Sequence, residues 1–112
     1  IIVPPPPTGL RSSYRKVRAR ASWDFALAGV ALALVFDGDT VKSARVFLSG
    51  AAPIPWRATG VEAAISGKQL DAATVAAAAE ASIAGAEPLS ENGYKIELFK
   101  GLVAEQLEAI KP

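Results

Sequence analysis

A run of twelve residues without a charged side chain, Phe25–Phe36, constrains the fold of this chain more than any other feature. Large and small residues alternate within it: Val30, Leu32 and Leu34 are each followed by a smaller residue. A repeat of two residues is the period of a β-strand, whose neighbouring side chains point to opposite faces. Alanine and leucine also favour helix, so a buried helix is the alternative. We interpret the run as a strand with one large-residue face and one small-residue face, and the small face would let another layer or domain approach closely.

The strand is followed by a hairpin signal. Asp37-Gly38 is a common hairpin turn, and Val41–Leu48 supplies a second arm. We therefore predict a β-hairpin over about residues 25–49. Two carboxylates in the turn, Asp37 and Asp39, could suggest a metal site, but without further ligands they are more typical of a solvated loop.

Three helices are predicted after the hairpin. Thr59 and Glu62 have the spacing of a capping box, which would begin a short helix and which explains Glu62 without a catalytic role. Asp71 is the expected N-cap of the second helix, and Gly85 its end. The third helix has an apolar stripe at helical spacing. The predicted spans are 59–65, 72–84 and 94–110.

These patterns predict an α+β domain, in which a small antiparallel sheet built on the hairpin packs against three helices. We expect Trp56 to cover the end of the core. Residues 1–10, which contain four consecutive prolines, are interpreted as a linker from a preceding domain, and residues 11–112 as the domain itself. The alternative for the proline segment is a ligand for an SH3-type domain.

Composition excludes several kinds of site. The chain has no cysteine and no histidine, which excludes disulfides, Cys/His zinc sites, iron–sulfur ligation and a histidine-based catalytic triad within it. No apolar stretch is long enough to span a membrane, and we expect a cytoplasmic protein. The chain also lacks methionine, so we expect it to be cut from a longer polypeptide or otherwise processed.

Charge is distributed unevenly along the chain. Residues 1–57 carry eight basic and three acidic side chains, whereas residues 58–112 carry four basic and eight acidic ones. Five of the cations lie in Arg11–Arg20 beside Tyr14, a pattern that nucleic-acid-binding segments share. The functional alternatives for this segment are binding of nucleic acid or an acidic partner, proximity to an anionic cofactor, or a solvated basic surface.

Three groups of motifs together resemble the C-terminal domain of the FAD-binding subunit of molybdenum hydroxylases. This family includes carbon monoxide dehydrogenase, xanthine dehydrogenase and aldehyde oxidoreductases. The departures from its pattern are Ser49 in place of a glycine, Lys95 in place of an arginine, and the loop Glu91-Asn-Gly93. The matching stretches are Tyr14–Arg20 with Trp23-Asp24, Ala44–Pro53 with Arg57-Ala58 and Glu62–Gly67, and Tyr94-Lys95.

The resemblance implies a role in electron transfer. In the family, a molybdenum cofactor on a large subunit hydroxylates the substrate, and iron–sulfur clusters of a small subunit pass electrons to FAD. Most FAD contacts come from two preceding domains, which are absent here, and the C-terminal domain closes over the flavin. The implied partners are those preceding domains and the iron–sulfur and molybdenum subunits.

The resemblance also implies a site residue. The lysine of the first motif, Lys16, is expected near the isoalloxazine ring, where an ammonium would favour the reduced, anionic flavin. The alternative is that Lys16 belongs to a solvated basic surface. Tyr14 and Arg20 are expected to contact neighbouring domains. The resemblance assigns no catalytic residue to this chain.

Overall fold

The computed structural model describes residues 1–112 and shows a four-stranded antiparallel sheet with three helices on one face. This architecture confirms the predicted α+β class. The strands lie in the order β1-β2-β3-β4. The elements are β1 (Leu10–Val17), β2 (Ala28–Asp37), β3 (Thr40–Ser49), β4 (Trp56–Arg57), α1 (Thr59–Ile65), α2 (Ala72–Ser82) and α3 (Tyr94–Ile110).

The predicted hairpin consists of β2 and β3. Asp37 pairs with Thr40, so the connecting loop has two residues, as the Asp37-Gly38 signal predicts. The first arm is shorter than predicted, because residues 25–27 precede the strand. There, the Asp24 side chain accepts a hydrogen bond from the Phe25 amide, which makes these residues the end of the loop after β1.

The two faces of β2 have different surroundings, as the alternation predicts. Val30, Leu32, Leu34 and Phe36 are buried, whereas the intervening positions from Ala31 to Val35 are only partly covered. The helices cover the large-residue face: α3 packs on β1 and β2, α1 packs on β3, and α2 packs on α1 and α3. We call the opposite face, which no helix covers, the open face.

Strand β1 was not predicted, because its sequence was interpreted only as a basic segment. It pairs with β2 along its whole length, from Leu10 opposite Val35 to Val17 opposite Ala28. Two of its cations lie on the helix side. The Arg11 guanidinium donates to the Lys111 carbonyl, and Arg15 forms an ion pair with Glu105 of α3. Pairing with β2, rather than local propensity, makes this segment a strand.

Trp56 covers the end of the core only in part. The residue begins the two-residue strand β4 and is 54% exposed, beside a cleft that the core residues Leu48 and Phe99 also line. Its backbone pairs with Leu48 at the sheet edge, so the position is set by strand pairing and not by burial of the indole.

The helices begin and end close to the predicted residues. Asp71 caps α2 by accepting a hydrogen bond from the Thr74 amide, and this bond lowers the pKa of the Asp71 carboxyl. Helix α2 ends at Ser82, two residues before the predicted end. Helix α3 has the predicted bounds, and its apolar stripe is largely buried against the sheet and α2.

The capping box predicted for α1 is wrong. Ala58 is the N-cap, and no side chain caps this helix. The Glu62 carboxylate instead accepts hydrogen bonds from the Val46 amide and from Arg57, because α1 packs on β3 and places Glu62 at the sheet edge.

One core connects the large-residue face of the sheet with all three helices. Its fully buried side chains include Leu34 and Leu48 from the sheet and Ile65 and Leu107 from the helices. None of the three helices combines the length and apolar character that crossing a membrane would require.

Shortening a side chain on one face of β2 should lower the free energy of unfolding more than shortening one on the other face. Leu34→Ala should lower the free energy of unfolding by about 2–5 kcal/mol, because it removes fully buried atoms and leaves a cavity. Val35→Ala, one residue along on the open face, should lower it by only about 1 kcal/mol or less. Urea denaturation followed by circular dichroism measures both. Equal losses would contradict the two-faced strand.

Candidate functional site

Lys16 lies near the end of β1 on the open face. It is opposite Gly29 of β2, and Gly29 is opposite Ser49 of β3, so these three residues form one row across the sheet. The Lys16 side chain is partly buried, and its Nζ donates a 2.8 Å hydrogen bond to the Asp24 carbonyl. Because an ammonium has three donors, this bond leaves two for other acceptors.

The hydrogen bond of Lys16 holds the loop between β1 and β2, which we call the 18–27 loop. Arg20 donates to the Trp23 carbonyl within the same loop. Trp23 has a φ of 52°, the only positive φ outside glycine, in a region that L-residues rarely adopt. The side chains of Trp23 and Phe25 are each 92% exposed. The loop therefore presents two aromatic rings to its surroundings.

Small residues make the open face flat beside Lys16. A Cβ atom added to Gly29 would lie 2.2 Å from Ser49 Oγ, so only glycine fits without moving that hydroxyl. The next row consists of Tyr14, Ala31 and Phe47. Tyr14 is 64% exposed and Phe47 is 39% exposed. An alanine between two aromatic side chains leaves a shallow apolar surface next to the ammonium.

Two further cations lie on the open face. Arg45 is in the row beyond Phe47, opposite Ala33, and Arg57 of β4 is opposite Phe47. Glu62 neutralises Arg57, so Lys16 and Arg45 provide the positive charge around the apolar surface, a distribution that favours an anionic partner.

Glu62 holds Arg57 in place. Its two carboxylate oxygens accept hydrogen bonds of 3.0 and 2.8 Å from the guanidinium, and one of them also accepts from the Val46 amide at 3.0 Å. The pKa of Glu62 is lowered from its usual value near 4.5, chiefly by the hydrogen bond from Arg57, although burial opposes this shift. Glu62 therefore positions a cation and closes the sheet edge at the same time.

A cleft of about 260 Å³ lies at the end of β3, beside the connection between α2 and α3. Its lining includes Gly50, Trp56, Ile83 and Phe99. Lys95 of α3 donates a 3.1 Å hydrogen bond to the Gly50 carbonyl at this cleft. The fold thus brings together two motif groups of the sequence, the one that contains Gly50 and the one that contains Lys95. These two residues are 45 positions apart.

Comparisons with known proteins identify the family of this chain. A family model described as the CO dehydrogenase flavoprotein C-terminal domain matches residues 12–110. The chain belongs to this family. Over 104 residues it is 41% identical to the aldehyde oxidoreductase FAD-binding subunit PaoB of Escherichia coli, covering 92% of this chain. It is 35% identical to the carbon monoxide dehydrogenase medium chain of Hydrogenophaga pseudoflava, covering 97% of this chain.

Solved structures of molybdenum hydroxylases share the fold. A carbon monoxide dehydrogenase from Hydrogenophaga pseudoflava superposes with a TM-score of 0.87 at 34% identity, over 96% of this chain and 39% of the other. Quinoline 2-oxidoreductase from Pseudomonas putida 86 superposes with a TM-score of 0.82 at 25% identity, over 93% of this chain and 37% of the other. The chain spans 29% of the length of PaoB and 39% of the length of the Hydrogenophaga medium chain.

The membership confirms the resemblance drawn from the three motif groups. The structure brings Lys16 and Tyr14 onto one face, whereas Arg20 bonds within the 18–27 loop. Sequence reasoning missed Arg45 and Phe47 as members of this face. The signal was present, because both alternate with the buried Val46 and Leu48. The role of Glu62 had no local signal, since it depends on packing of α1 against β3.

The lowered pKa of Glu62 predicts a pH-dependent loss of stability. Glu62→Gln should lower the free energy of unfolding by about 1–3 kcal/mol at neutral pH, because it removes a charged hydrogen-bonding group. Since the folded pKa lies below the unfolded one, the advantage of the native chain is complete above about pH 5 and shrinks as the pH falls below 4.5. Urea titrations at several pH values measure the difference.

The matched control is Glu91→Gln, because Glu91 is exposed and its side chain forms no hydrogen bond or ion pair. Its effect should be small. A difference between native and Glu62→Gln chains that stays constant from pH 7 to pH 3 would contradict the ionic role of Glu62.

Proposed function

We propose that this chain is the C-terminal domain of a flavoprotein subunit that passes electrons from a molybdenum and iron–sulfur hydroxylase to an acceptor. The domain helps to enclose FAD that other domains of the subunit bind, and it performs no chemistry of its own. The observation that carries the proposal is the position of Lys16, which lies on the sheet face that no helix covers, one row from the partly exposed Ala31. Family membership supports the assignment.

The residues of the open face fit one edge of a flavin. The isoalloxazine is a planar ring system whose pyrimidine end carries carbonyl and nitrogen acceptors. A planar group needs a surface without protruding side chains, which Ala31 supplies. Its acceptors need donors, and the Lys16 ammonium keeps two after bonding to the Asp24 carbonyl. FAD bound by the preceding domains would meet this domain along the row of Lys16.

When it is bound, the flavin accepts and passes on electrons, and Lys16 tunes its reduction potential. A positive charge beside the ring stabilises the reduced, anionic form relative to the oxidised form. The hydrogen bond to the Asp24 carbonyl restricts the ammonium to one region of the open face. Lys16 therefore acts through its position and charge, without transferring a proton.

The neighbours follow from the same assignment. We propose that the open face meets the preceding FAD-binding domains, with Tyr14 and Phe47 as apolar contacts. Iron–sulfur clusters and the molybdenum cofactor belong to partner subunits. The names of the relatives, which are FAD-binding and medium subunits of oxidoreductases, support this arrangement. The cytoplasmic location and the origin of residues 1–10 as a linker stay predictions.

Nucleic-acid binding by Arg11–Arg20 is the weaker candidate. Arg11, Arg15 and Arg20 each bond within the chain, and the helices opposite β1 carry acidic residues such as Glu105. Arg11 and Arg20 keep their charge, because they bond to carbonyl groups, but one short basic segment beside acidic helices offers few contacts to phosphates.

The role of Lys16 is tested in the intact flavoprotein subunit. Lys16→Ala should lower the midpoint potential of the bound flavin by tens of millivolts, because the reduced anion loses a nearby positive charge. It should also change the visible absorption spectrum of the flavin. Redox titration followed by absorbance measures both, and the flavin content should remain close to that of the native subunit.

The matched control is Lys42→Ala, which removes an equally charged but exposed residue in the hairpin, remote from the row of Lys16. It should leave potential and spectrum unchanged. Identical flavin content, spectrum and potential in the native and Lys16→Ala subunits would show that the proposed contact does not exist.

A further inference from the structure

The two edges of the sheet differ. Along β3, the outward backbone groups of two residues have partners: Val46 accepts from Ala58 and donates to Glu62, and Val41 bonds to Gly67 and Lys68. Strand β4, a side chain and a turn therefore close this edge. Strand β1 forms the other edge and pairs only with β2.

The outward-facing backbone groups of β1 follow from the ladder geometry. The Gly9 carbonyl accepts from the Phe36 amide, so Gly9 faces β2. Because consecutive residues of an antiparallel strand bond to opposite sides, Ser12, Tyr14 and Lys16 direct their amides and carbonyls away from β2. No backbone hydrogen bond outside the regular elements involves these three residues. They form a free row of donors and acceptors.

Strand β1 lacks two of the features that usually protect an edge, a proline and a bulge. Its eight residues contain no proline, and its pairing with β2 has no bulge. Long, regular edges are templates for an additional strand, and charged residues are one means by which proteins control what pairs there. Residues 10–18 contain Arg11, Arg15, Lys16 and Arg18 and no acidic residue, and of these cations only Arg15 forms an ion pair, with Glu105 of α3.

The positive charge along β1 determines which kind of strand can pair with its free edge. A second copy of the chain, paired through β1, would place its cations beside those of the first, and like charges on adjacent strands repel each other. An acidic strand would meet opposite charge along the same edge. We propose that the free edge of β1 binds an extended, acidic segment of a partner polypeptide, which joins the sheet as a fifth strand.

This proposal does not depend on the flavin. It uses the backbone of Ser12, Tyr14 and Lys16, whereas the flavin proposal uses the Lys16 side chain on the open face. Main-chain hydrogen bonds to the edge would provide affinity, and the cations would restrict the choice of partner to acidic segments.

The probe is an eight-residue peptide, the length of β1, in which glutamate and valine alternate. Fluorescence anisotropy at low ionic strength should detect saturable binding to the chain. Ser12→Pro removes one outward amide and no amide that faces β2, so it should weaken binding about tenfold. Ser12→Ala, which keeps the amide, should bind like the native chain. Equal affinity of these two variants would overturn the proposal.

Two further measurements keep the test independent of how well Ser12→Pro folds. A peptide that is N-methylated at the amides that would bond to β1 should fail to bind the native chain. The peptide with lysine in place of glutamate should also fail to bind. Hydrogen exchange should show that the amides of Ser12, Tyr14 and Lys16 become protected only when the acidic peptide is present. Binding of all three peptides, or protection at other residues, would refute an added strand.

Other occupants have distinct signatures. Concentration-dependent dimerisation with protection of the same amides would show that a second copy occupies the edge. Protection of these amides in the intact flavoprotein subunit alone would show that the subunit's own chain occupies it. Either result would overturn binding of a separate acidic partner.

Discussion

The fold depends on the two different faces of β2. Its large residues are buried beneath three helices, and its small residues remain on the other face of the same strand. Because neighbouring side chains of a strand point to opposite sides, one alternating sequence provides both a core and a flat surface. The neighbouring strands take their register from β2, so residues far apart in the chain, such as Lys16 and Ser49, lie in one row.

The two faces of the sheet have different roles: the large-residue face stabilises the fold, and the open face is available for contacts with other groups. Burial of the large-residue face supplies the apolar contacts that hold the helices on the sheet. The open face contributes little to that core, which leaves its residues free to serve contacts outside the chain. Cations and partly exposed aromatic side chains collect there, and Lys16 lies beside a glycine. The proposed contact with a flavin requires such an uncovered side.

Closure of one sheet edge illustrates how a charged group can serve structure. Glu62 accepts a backbone hydrogen bond that another strand would otherwise provide, and it neutralises Arg57 in the same position. The opposite edge, β1, has no such device. The edge formed by β3 and β4 is therefore closed by residues of the same chain. The edge formed by β1 is free and carries positive charge.

Sequence alone determined the hairpin, its turn and the bounds of α3, because these follow from local periodicity and turn chemistry. The order of its motifs also indicated the family, which the comparisons confirm, whereas the role of Lys16 stays a prediction. Sequence alone did not reveal β1, the exposure of Trp56 or the bonds of Glu62. Each of these depends on what packs or pairs against the residue from a distant part of the chain. Local patterns record which face a residue prefers, whereas its partner on that face is decided only when the strands and helices assemble.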